Sequence, residues 1–262
     1  MAVPPQSEEM LYMAHPVVRV VKGHLPLLEW QGSQANTVRA LIIGEPARGL
    51  VTECQYGDVR CCPEGRVSRP PHVQCEVEQI EEVFQKAGFH PHAVHSRPKG
   101  NSRSAWPLLL TRETWDVIHF AGHGLTWHEN ARSCQCLLVS EGGGVLRAPV
   151  ARAMGSNELG SLLSGGSVYG LIFFSCCESG SGPLCLEVAR RRQGEVIGFL
   201  YDVECQSARQ IAVAFYSELA ALKWRGEGLV ARAMWAVRLQ FQVGTVEEQR
   251  AVQGCCVWIG GV

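Results

Sequence analysis

The chain has 262 residues, of which 46% are hydrophobic and 19% are charged, a composition typical of a folded globular protein with an ample core. Its formal net charge of −1 gives no reason to expect a nucleic acid as a partner. No apolar run reaches the roughly 18 residues of a membrane span, and the amino terminus lacks a basic region followed by an apolar stretch. We therefore expect a cytoplasmic protein with no membrane span, whose thiols stay reduced.

The first half of the chain predicts an extension at residues 1–36, with a short candidate strand at 17–21, followed by one domain over residues 37–262. The first elements of this domain are a strand at 39–44, a helix at 74–87, a strand at 89–95, a helix at 102–113 and a strand at 115–120. A long stretch at residues 49–73 holds prolines and charges but no periodicity. We interpret it as a loop insertion that is disordered at the surface.

The second half continues the alternation of strands and helices. Its predicted elements are a hairpin of residues 135–140 and 145–150, a helix at 156–163, a strand at 168–174, a helix at 183–192, a strand at 195–200, helices at 207–224 and 229–241, and a strand at 255–259. This order predicts an α/β fold in which helices cover both faces of a mostly parallel sheet.

The spacing of the 12 cysteines argues against a zinc ribbon or finger, because no two of them are separated by two residues. A metal cluster built from Cys54, Cys61, Cys62 and Cys75 fits no standard site. We interpret most of the cysteines as small buried residues or surface thiols, and we expect no metal and no cofactor. A redox or metal module built on the cysteines is the third functional alternative, which metal analysis of the purified protein would test.

Two predicted strands end in residues that are suited to catalysis. Apolar residues 171–174 lead into a small polar turn that contains Cys177, and the mostly apolar residues 116–121 lead to His123. Parallel strands that end at one edge of a sheet bring such side chains together. A cysteine attacks as a thiolate, and a nearby histidine accepts its proton and later protonates the leaving amine. We predict this catalytic pair; the alternative is a buried structural thiol and a hydrogen-bonded core histidine.

The residues beside the predicted pair are small enough for a substrate carbonyl to approach. The backbone N–H groups of Gly124 and Cys177 are the candidate oxyanion hole. His119 lies earlier on the same strand as His123, and we interpret it as structural.

The two motifs resemble those of a known peptidase family. HFAGHG at residues 119–124 and FSCCESG at residues 174–180 are similar to the paired HFSGHG and LSACETG motifs of the CHAT family. CHAT domains are caspase-like, are related to caspases and separases, and are often joined to TPR repeats in bacteria. Further matches extend the resemblance over residues 39–262. It departs from the family at Tyr201, where Trp is usual, and in the stretch at 49–73.

The resemblance implies a caspase-like three-layer α/β/α sandwich and a cysteine endopeptidase. It also implies regulated limited proteolysis of protein substrates in bacterial signalling or defence. We expect activation by a sensor or other partner protein or by cleavage, or a role as the downstream member of a cascade, because the chain has little room for a sensor domain of its own. The alternative is a catalytically silent interaction module that keeps the fold. Labelling by an electrophilic peptide probe distinguishes the two possibilities.

The resemblance also implies a specificity pocket. Residues 201–204 come after a predicted strand and resemble a stretch of the separases in which an aspartate lies in the pocket for an arginine side chain. Carried over to this chain, Asp202 would lie at the base of the pocket, with Glu204 as the weaker candidate. Cleavage is then expected after Arg or Lys. The alternative is that Asp202 only caps the next helix.

No step of this chemistry uses a metal ion, so we expect cleavage to survive chelation. Peptide cleavage measured before and after treatment with EDTA should agree. A loss of activity that zinc or calcium restores would contradict the mechanism.

Overall fold

Seven helices are present in the described part of the chain, and the sequence predicts six of them. The computed structural model describes residues 18–20, 38–45, 47, 49–52, 55–56, 59–60, 66–67, 72–95, 106–129, 132–140, 150–165, 168–180, 183–191, 194–224 and 228–260. The helices are α1 (Val73–Lys86), α2 (Trp106–Arg112), α3 (Ser156–Gly165), α4 (Pro183–Arg191), α5 (Cys205–Ala221), α6 (Leu229–Gln240) and α7 (Val246–Gln253), with a 3-10 turn at Phe241–Val243.

Helix α7 is the helix that periodicity misses, because it is short and mostly polar. A local signal does mark its start. The Thr245 side chain accepts a hydrogen bond from the Glu248 N–H, and the Glu248 side chain accepts one from the Thr245 N–H. This reciprocal capping box can be recognised in a sequence as a threonine followed three residues later by a glutamate.

A seven-stranded sheet forms the centre of the fold. Every neighbouring pair of strands is parallel except the pair formed by the last two strands of the chain. Across the sheet the order is β1 (Val18–Val20), β14 (Cys255–Gly260), β13 (Gly194–Phe199), β12 (Val168–Ser175), β8 (Trp115–Ala121), β2 (Ala40–Gly44) and β7 (His92–His95). The short candidate strand of the amino-terminal extension is therefore an edge strand of the central sheet.

Helices cover both faces of this sheet because successive strand residues point to opposite sides. On one face, α1, α5 and α6 pack against a set of strand residues that includes Ile42, Phe173 and Ile197. On the other face, α2, α3 and α4 pack against a set that includes Ile118 and Ile172. The three-layer α/β/α sandwich with a mostly parallel sheet, predicted from the sequence, is confirmed.

A second sheet of five strands was not predicted. Its order is β6 (Arg66–Val67), β3 (Gly49–Thr52), β11 (Val150–Gly155), β10 (Arg132–Ser140) and β9 (Gly124–Glu129). Residues 49–73 supply β3 and β6, together with a small hairpin of β4 (Gln55–Tyr56) and β5 (Val59–Arg60). The expectation of a disordered loop is therefore wrong for these strands, which are too short to show a period.

The predicted hairpin is only partly correct. Strand β10 is its first arm, but β10 pairs with β11, which begins at Val150, and with β9 on its other edge. The rest of the predicted second arm lies outside the described residues. Strand β11 has the sequence VARAMG, whose small and charged residues give no β-branched run for a prediction to detect.

Glu195 makes the stability of the fold dependent on pH. Its carboxyl lies largely buried on β13, and burial raises its pKa to about 7. The unfolded chain releases this proton near pH 4.5, whereas the folded chain keeps it, so the free energy of unfolding falls as the pH rises from there through 7. We expect Glu195→Gln to stabilise the protein by up to roughly 3 kcal/mol at about pH 8 and by little at about pH 4.

Urea unfolding of both proteins at the two pH values measures this difference. The exposed Glu247 supplies the control, since Glu247→Gln removes the same charge without removing a buried carboxyl. A Glu195→Gln protein that gains no stability at the higher pH would show that the carboxylate is solvated in the folded state.

Candidate active site

The strands that carry His123 and Cys177 are neighbours and end at the same level. Strands β8 and β12 are parallel, and their last register pair is Ala121 with Ser175. His123 and Cys177 each lie two residues beyond that pair. The Gly122 N–H donates to the Ser175 carbonyl oxygen at 3.3 Å, which ties the two turns together. The structure therefore brings both predicted residues to one edge of the sheet, at the carboxyl ends of its central strands.

Gly124 forms the contact between the two turns. A Cβ atom at this position would overlap the carbonyl oxygen of Cys177 and would lie 3.3 Å from Cys176 Sγ. No larger residue fits without displacing one of the turns. Gly124 is therefore required for the packing of the two turns, in addition to its predicted role in the oxyanion hole.

The backbone of Gly124 is oriented by its place at the start of β9. The Leu138 N–H donates to the His123 carbonyl oxygen at 3.0 Å, and Gly124 lies opposite Leu137 in the antiparallel ladder. This register makes Gly124 and Leu137 a pair that is not mutually hydrogen-bonded, and the backbone groups of such residues point away from the partner strand. The Gly124 N–H is therefore directed out of the β9–β10 ladder, as an oxyanion donor requires.

The turn that carries Cys177 is held against the end of β13. The buried Ser179 hydroxyl lies 3.0 Å from the Phe174 carbonyl oxygen and accepts the Phe199 N–H at 3.1 Å. The N–H groups of Glu178 and Gly180 donate to carbonyl oxygens of Tyr201 and Phe199, at 3.1 and 2.7 Å. Glu178 adopts the left-handed backbone conformation, with φ of 51°. None of these contacts uses the Cys177 side chain.

Gln135 is a second anchor of this turn, and sequence reasoning missed it. Its side chain is buried on β10, and its amide nitrogen donates to the carbonyl oxygen of Glu178. Its amide oxygen accepts the Leu184 N–H, at the start of α4, at 2.9 Å. A glutamine within the otherwise apolar run of β10 was the available signal. Gln135 thus connects the turn to β10 and to the start of α4.

The two adjacent cysteines face opposite layers of the sandwich. Cys176 is 2% exposed and packs in the core between the sheet and α4, where burial raises its pKa. Cys177 is partly exposed and packs on the side of α1 and α5. Of the two thiols, only that of Cys177 can be reached from solvent, which agrees with its assignment as the candidate nucleophile.

The Cys177 thiol is hydrogen-bonded to the segment that follows β13. Its Sγ donates to the Val203 carbonyl oxygen at 3.6 Å. Burial raises the pKa of the thiol, a backbone hydrogen bond with Val203 lowers it, and the negative charge of the Asp202 carboxylate raises it. A thiol held in this way is a weak nucleophile until something lowers its pKa.

The two candidate specificity residues have different surroundings. Asp202 is exposed, and its negative charge raises the pKa of the Cys177 thiol. Glu204 is the residue that precedes α5, and one of its oxygens accepts a hydrogen bond from the Ser207 hydroxyl at 3.1 Å. The capping position is therefore held by Glu204 and not by Asp202. This leaves Asp202 as the better placed of the two for contact with a substrate.

His119 belongs to a buried polar group beneath the site. Its Nε2 lies 3.0 Å from a carboxylate oxygen of Glu76 on α1, and its Nδ1 lies 3.3 Å from the Tyr216 hydroxyl on α5. All three side chains are buried. His119 thus connects β8 to α1 and α5, two of the three helices of one layer, which is a structural position.

The part of the chain that the structure describes offers neither a metal site nor a membrane helix. It contains no group of three or more His, Cys, Asp or Glu side chains placed to hold a metal ion. None of the helices in the described ranges combines the length and hydrophobicity that a membrane crossing needs. Of the four cysteines considered as a metal cluster, Cys54, Cys61 and Cys62 lie outside the described residues.

Among solved structures, those similar to this chain include two of a gingipain. One is the complex of Porphyromonas gingivalis RgpB pro- and mature domains, 13% identical over 96% of this chain and 52% of that chain, with a TM-score of 0.47. The other is the Arg-specific cysteine proteinase gingipain R, 12% identical over 97% and 51% of the two chains, with a TM-score of 0.48. The present chain therefore spans about half the length of either. A search of curated proteins gave no significant match.

The family comparison covers nearly the whole sequence. The profile of the CHAT domain matches residues 2–251, which include both turns at the edge of the sheet and the strands that carry them. The match also includes the stretch at 49–73 and most of the amino-terminal extension. The sequence motifs, the sandwich architecture and this match together place the chain in the CHAT-domain family of caspase-like cysteine peptidases.

Proposed function

We propose that the protein is a cysteine endopeptidase that uses a dyad of His123 and Cys177. The observation that carries this proposal is the register of the neighbouring parallel strands β8 and β12. Their last register pair is Ala121 with Ser175, and His123 and Cys177 each follow that pair by two residues. Two chemically suited residues at matching positions of adjacent parallel strands are the arrangement that nucleophilic catalysis needs.

In the proposed mechanism, His123 removes the thiol proton and the Cys177 sulfur attacks the carbonyl carbon of the scissile peptide bond. The Gly124 and Cys177 N–H groups stabilise the oxygen that becomes negative. His123 then gives the proton to the leaving amine, so that the C–N bond breaks and an acyl-enzyme remains. Water attacks this thioester with His123 as general base, and the acid product leaves with the thiol restored.

The experiment that tests the proposal is covalent labelling with an electrophilic peptide probe, compared between the wild type and Cys177→Ala. Labelling of the wild type alone supports a peptidase. If neither protein is labelled under any condition, the catalytically silent interaction module is the better description. The hydrogen bond from the thiol to Val203, together with the raised pKa of Cys177, favours this second candidate.

We further propose cleavage after Arg or Lys, with Asp202 as the residue that pairs with the basic side chain. The exposed carboxylate beside the nucleophile supports this assignment, because a guanidinium can pair with a carboxylate through two hydrogen bonds. A positional library of fluorogenic peptides, read for the wild type and for Asp202→Ala, measures the preference. Selection of an acidic or large apolar residue by the wild type would refute it, as would an unchanged margin for arginine in the variant.

The biological setting is proposed from the family alone. We propose regulated limited proteolysis of protein substrates, started by an activating partner or by cleavage, in bacterial signalling or defence. Identification of the new amino termini that appear in a bacterial proteome after addition of the purified protein would reveal the substrates. No new termini with the wild type, in the presence of lysate, would argue against this setting.

A further inference from the structure

The segment at residues 201–204 lies along the turn that carries the candidate nucleophile. The Tyr201 carbonyl oxygen accepts the Glu178 N–H at 3.1 Å, and the Val203 carbonyl oxygen accepts the Cys177 thiol at 3.6 Å. Asp202 lies between these two contacts. Its side chain is exposed, and the negative charge of its carboxylate raises the pKa of the thiol. A ligand that reaches Asp202 from solvent therefore arrives next to the residue whose carbonyl oxygen binds the sulfur.

Other ionisable groups lie on the elements that pack around Asp202. Negative charge on Cys205, at the start of α5, also raises the pKa of the Cys177 thiol. Glu76 on α1 is buried, and its negative charge raises the pKa values of Cys176 and Cys205. His123 lies two residues beyond the last register pair of β8 with β12. On the outer side, the Arg250 guanidinium lies 6.0 Å from the centre of the Tyr201 ring, and the exposed Glu204 bonds Ser207.

We propose that Asp202 couples substrate recognition to activation of the nucleophile: a guanidinium or ammonium group that pairs with Asp202 also increases the fraction of Cys177 present as thiolate. This inference rests on the proposed function, whose site it deepens. The carboxylate that attracts a basic side chain is the same group whose negative charge suppresses ionisation of the sulfur. Pairing it with a cation removes that suppression and adds a positive charge near the thiolate.

Asp202 then favours basic substrates in two ways, through binding and through the reactivity of the sulfur. A peptide with a basic side chain at the site gains the ion pair and meets a more reactive sulfur. A peptide with a neutral or acidic side chain gains neither, so the thiol remains protonated and hydrogen-bonded to Val203. Reactive thiolate is then formed chiefly when a suitable substrate is bound, which limits oxidation and off-target reaction of the free protein.

The test is the rate at which iodoacetamide alkylates Cys177, followed by mass spectrometry over a range of pH on the full chain. Iodoacetamide is small and neutral, so its access does not depend on peptide binding. The rate is measured with methylguanidinium chloride, with the neutral isostere methylurea, and with sodium chloride at equal ionic strength. Buried Cys176 and Cys185 report any general loosening of the structure.

We expect methylguanidinium to lower the midpoint of the pH–rate curve by about one pH unit, which raises the rate about tenfold at a pH below the midpoint. Methylurea and sodium chloride should have no such effect. Asp202→Asn should be labelled at the faster rate already and should not respond to methylguanidinium. Glu247→Gln, which removes an exposed charge elsewhere, should behave as the wild type does.

An equal rate of wild-type labelling with methylguanidinium and with methylurea overturns the coupling, whether or not Asp202→Asn folds. The readout does not involve peptide cleavage, so it separates the two proposals. If basic peptides are cleaved but labelling does not respond, the coupling is wrong and the peptidase assignment stands. If labelling responds but no peptide is cleaved, the coupling stands and the peptidase assignment is wrong.

Discussion

Cys177→Ala is expected to abolish peptide cleavage, with a fall in kcat of at least about a thousandfold. The variant removes the sulfur that forms the acyl-enzyme in the proposed mechanism. The fold should survive, because Ser179 and Gln135 hold the turn through contacts that do not involve this thiol. Cleavage of a fluorogenic peptide and thermal unfolding, measured on the same preparation, check both expectations.

Cys176→Ala is the matched control, because it makes the same atomic change one residue earlier. This sulfur points into the core on the other side of the sheet, so its loss should cost some stability and leave cleavage measurable. His123→Ala should lose about as much activity as Cys177→Ala, and the double variant should lose no more than either, since the pair acts as a unit. An inactive Cys176→Ala beside a fully active Cys177→Ala would show that the nucleophile is the earlier cysteine.

The position of the site could be predicted from the sequence because it depends on long apolar runs. Residues 116–121 and 171–174 are mostly buried, and strands of this kind lie next to one another at the centre of a parallel sheet. The turns at their carboxyl ends therefore meet at one edge. The second sheet could not be predicted in this way, because β3 and β6 are only a few residues long and acquire their pairing from distant segments.

The surroundings of the Cys177 thiol could not be predicted from the sequence either. Whether Asp202 or Glu204 precedes the helix depends on where α5 begins, and helix ends are set by local contacts that periodicity does not resolve. That boundary, at Cys205, leaves Asp202 exposed beside the sulfur and gives the capping position to Glu204. The hydrogen bond from the thiol to Val203 depends on the same boundary.

Glu76 was missed although the sequence contained a signal for it. The buried positions of α1 are Val73, Glu76, Val77, Ile80 and Phe84. Glu76 thus lies within the apolar stripe at the spacing of three and four residues that marks the buried face of a helix. An acidic residue at such a position requires a buried partner. His119, on the strand that leads to His123, is that partner.

The pair of Glu76 and His119 is expected to contribute strongly to stability, because both groups are almost completely shielded from water. Burial, and then the charge of Glu76, raise the pKa of the Tyr216 hydroxyl well above its usual value, which keeps it protonated. All the polar groups are satisfied when this hydroxyl donates to Nδ1 of His119 and Nε2–H donates to Glu76. Removing the acceptor would leave the imidazole N–H buried without a hydrogen bond.

We therefore expect Glu76→Ala to lower the free energy of unfolding by about 3 kcal/mol, a large part of the stability of an ordinary domain. Glu76→Gln keeps an oxygen that can accept the imidazole N–H and should cost clearly less. Glu78→Ala makes the same change on the exposed face of α1 and should change stability by no more than about 0.5 kcal/mol. Guanidinium unfolding of the three variants and the wild type measures these differences. A Glu76→Ala protein that loses no more stability than Glu78→Ala would mean that the buried pair contributes nothing net, because the cost of desolvating it cancels its hydrogen bonds.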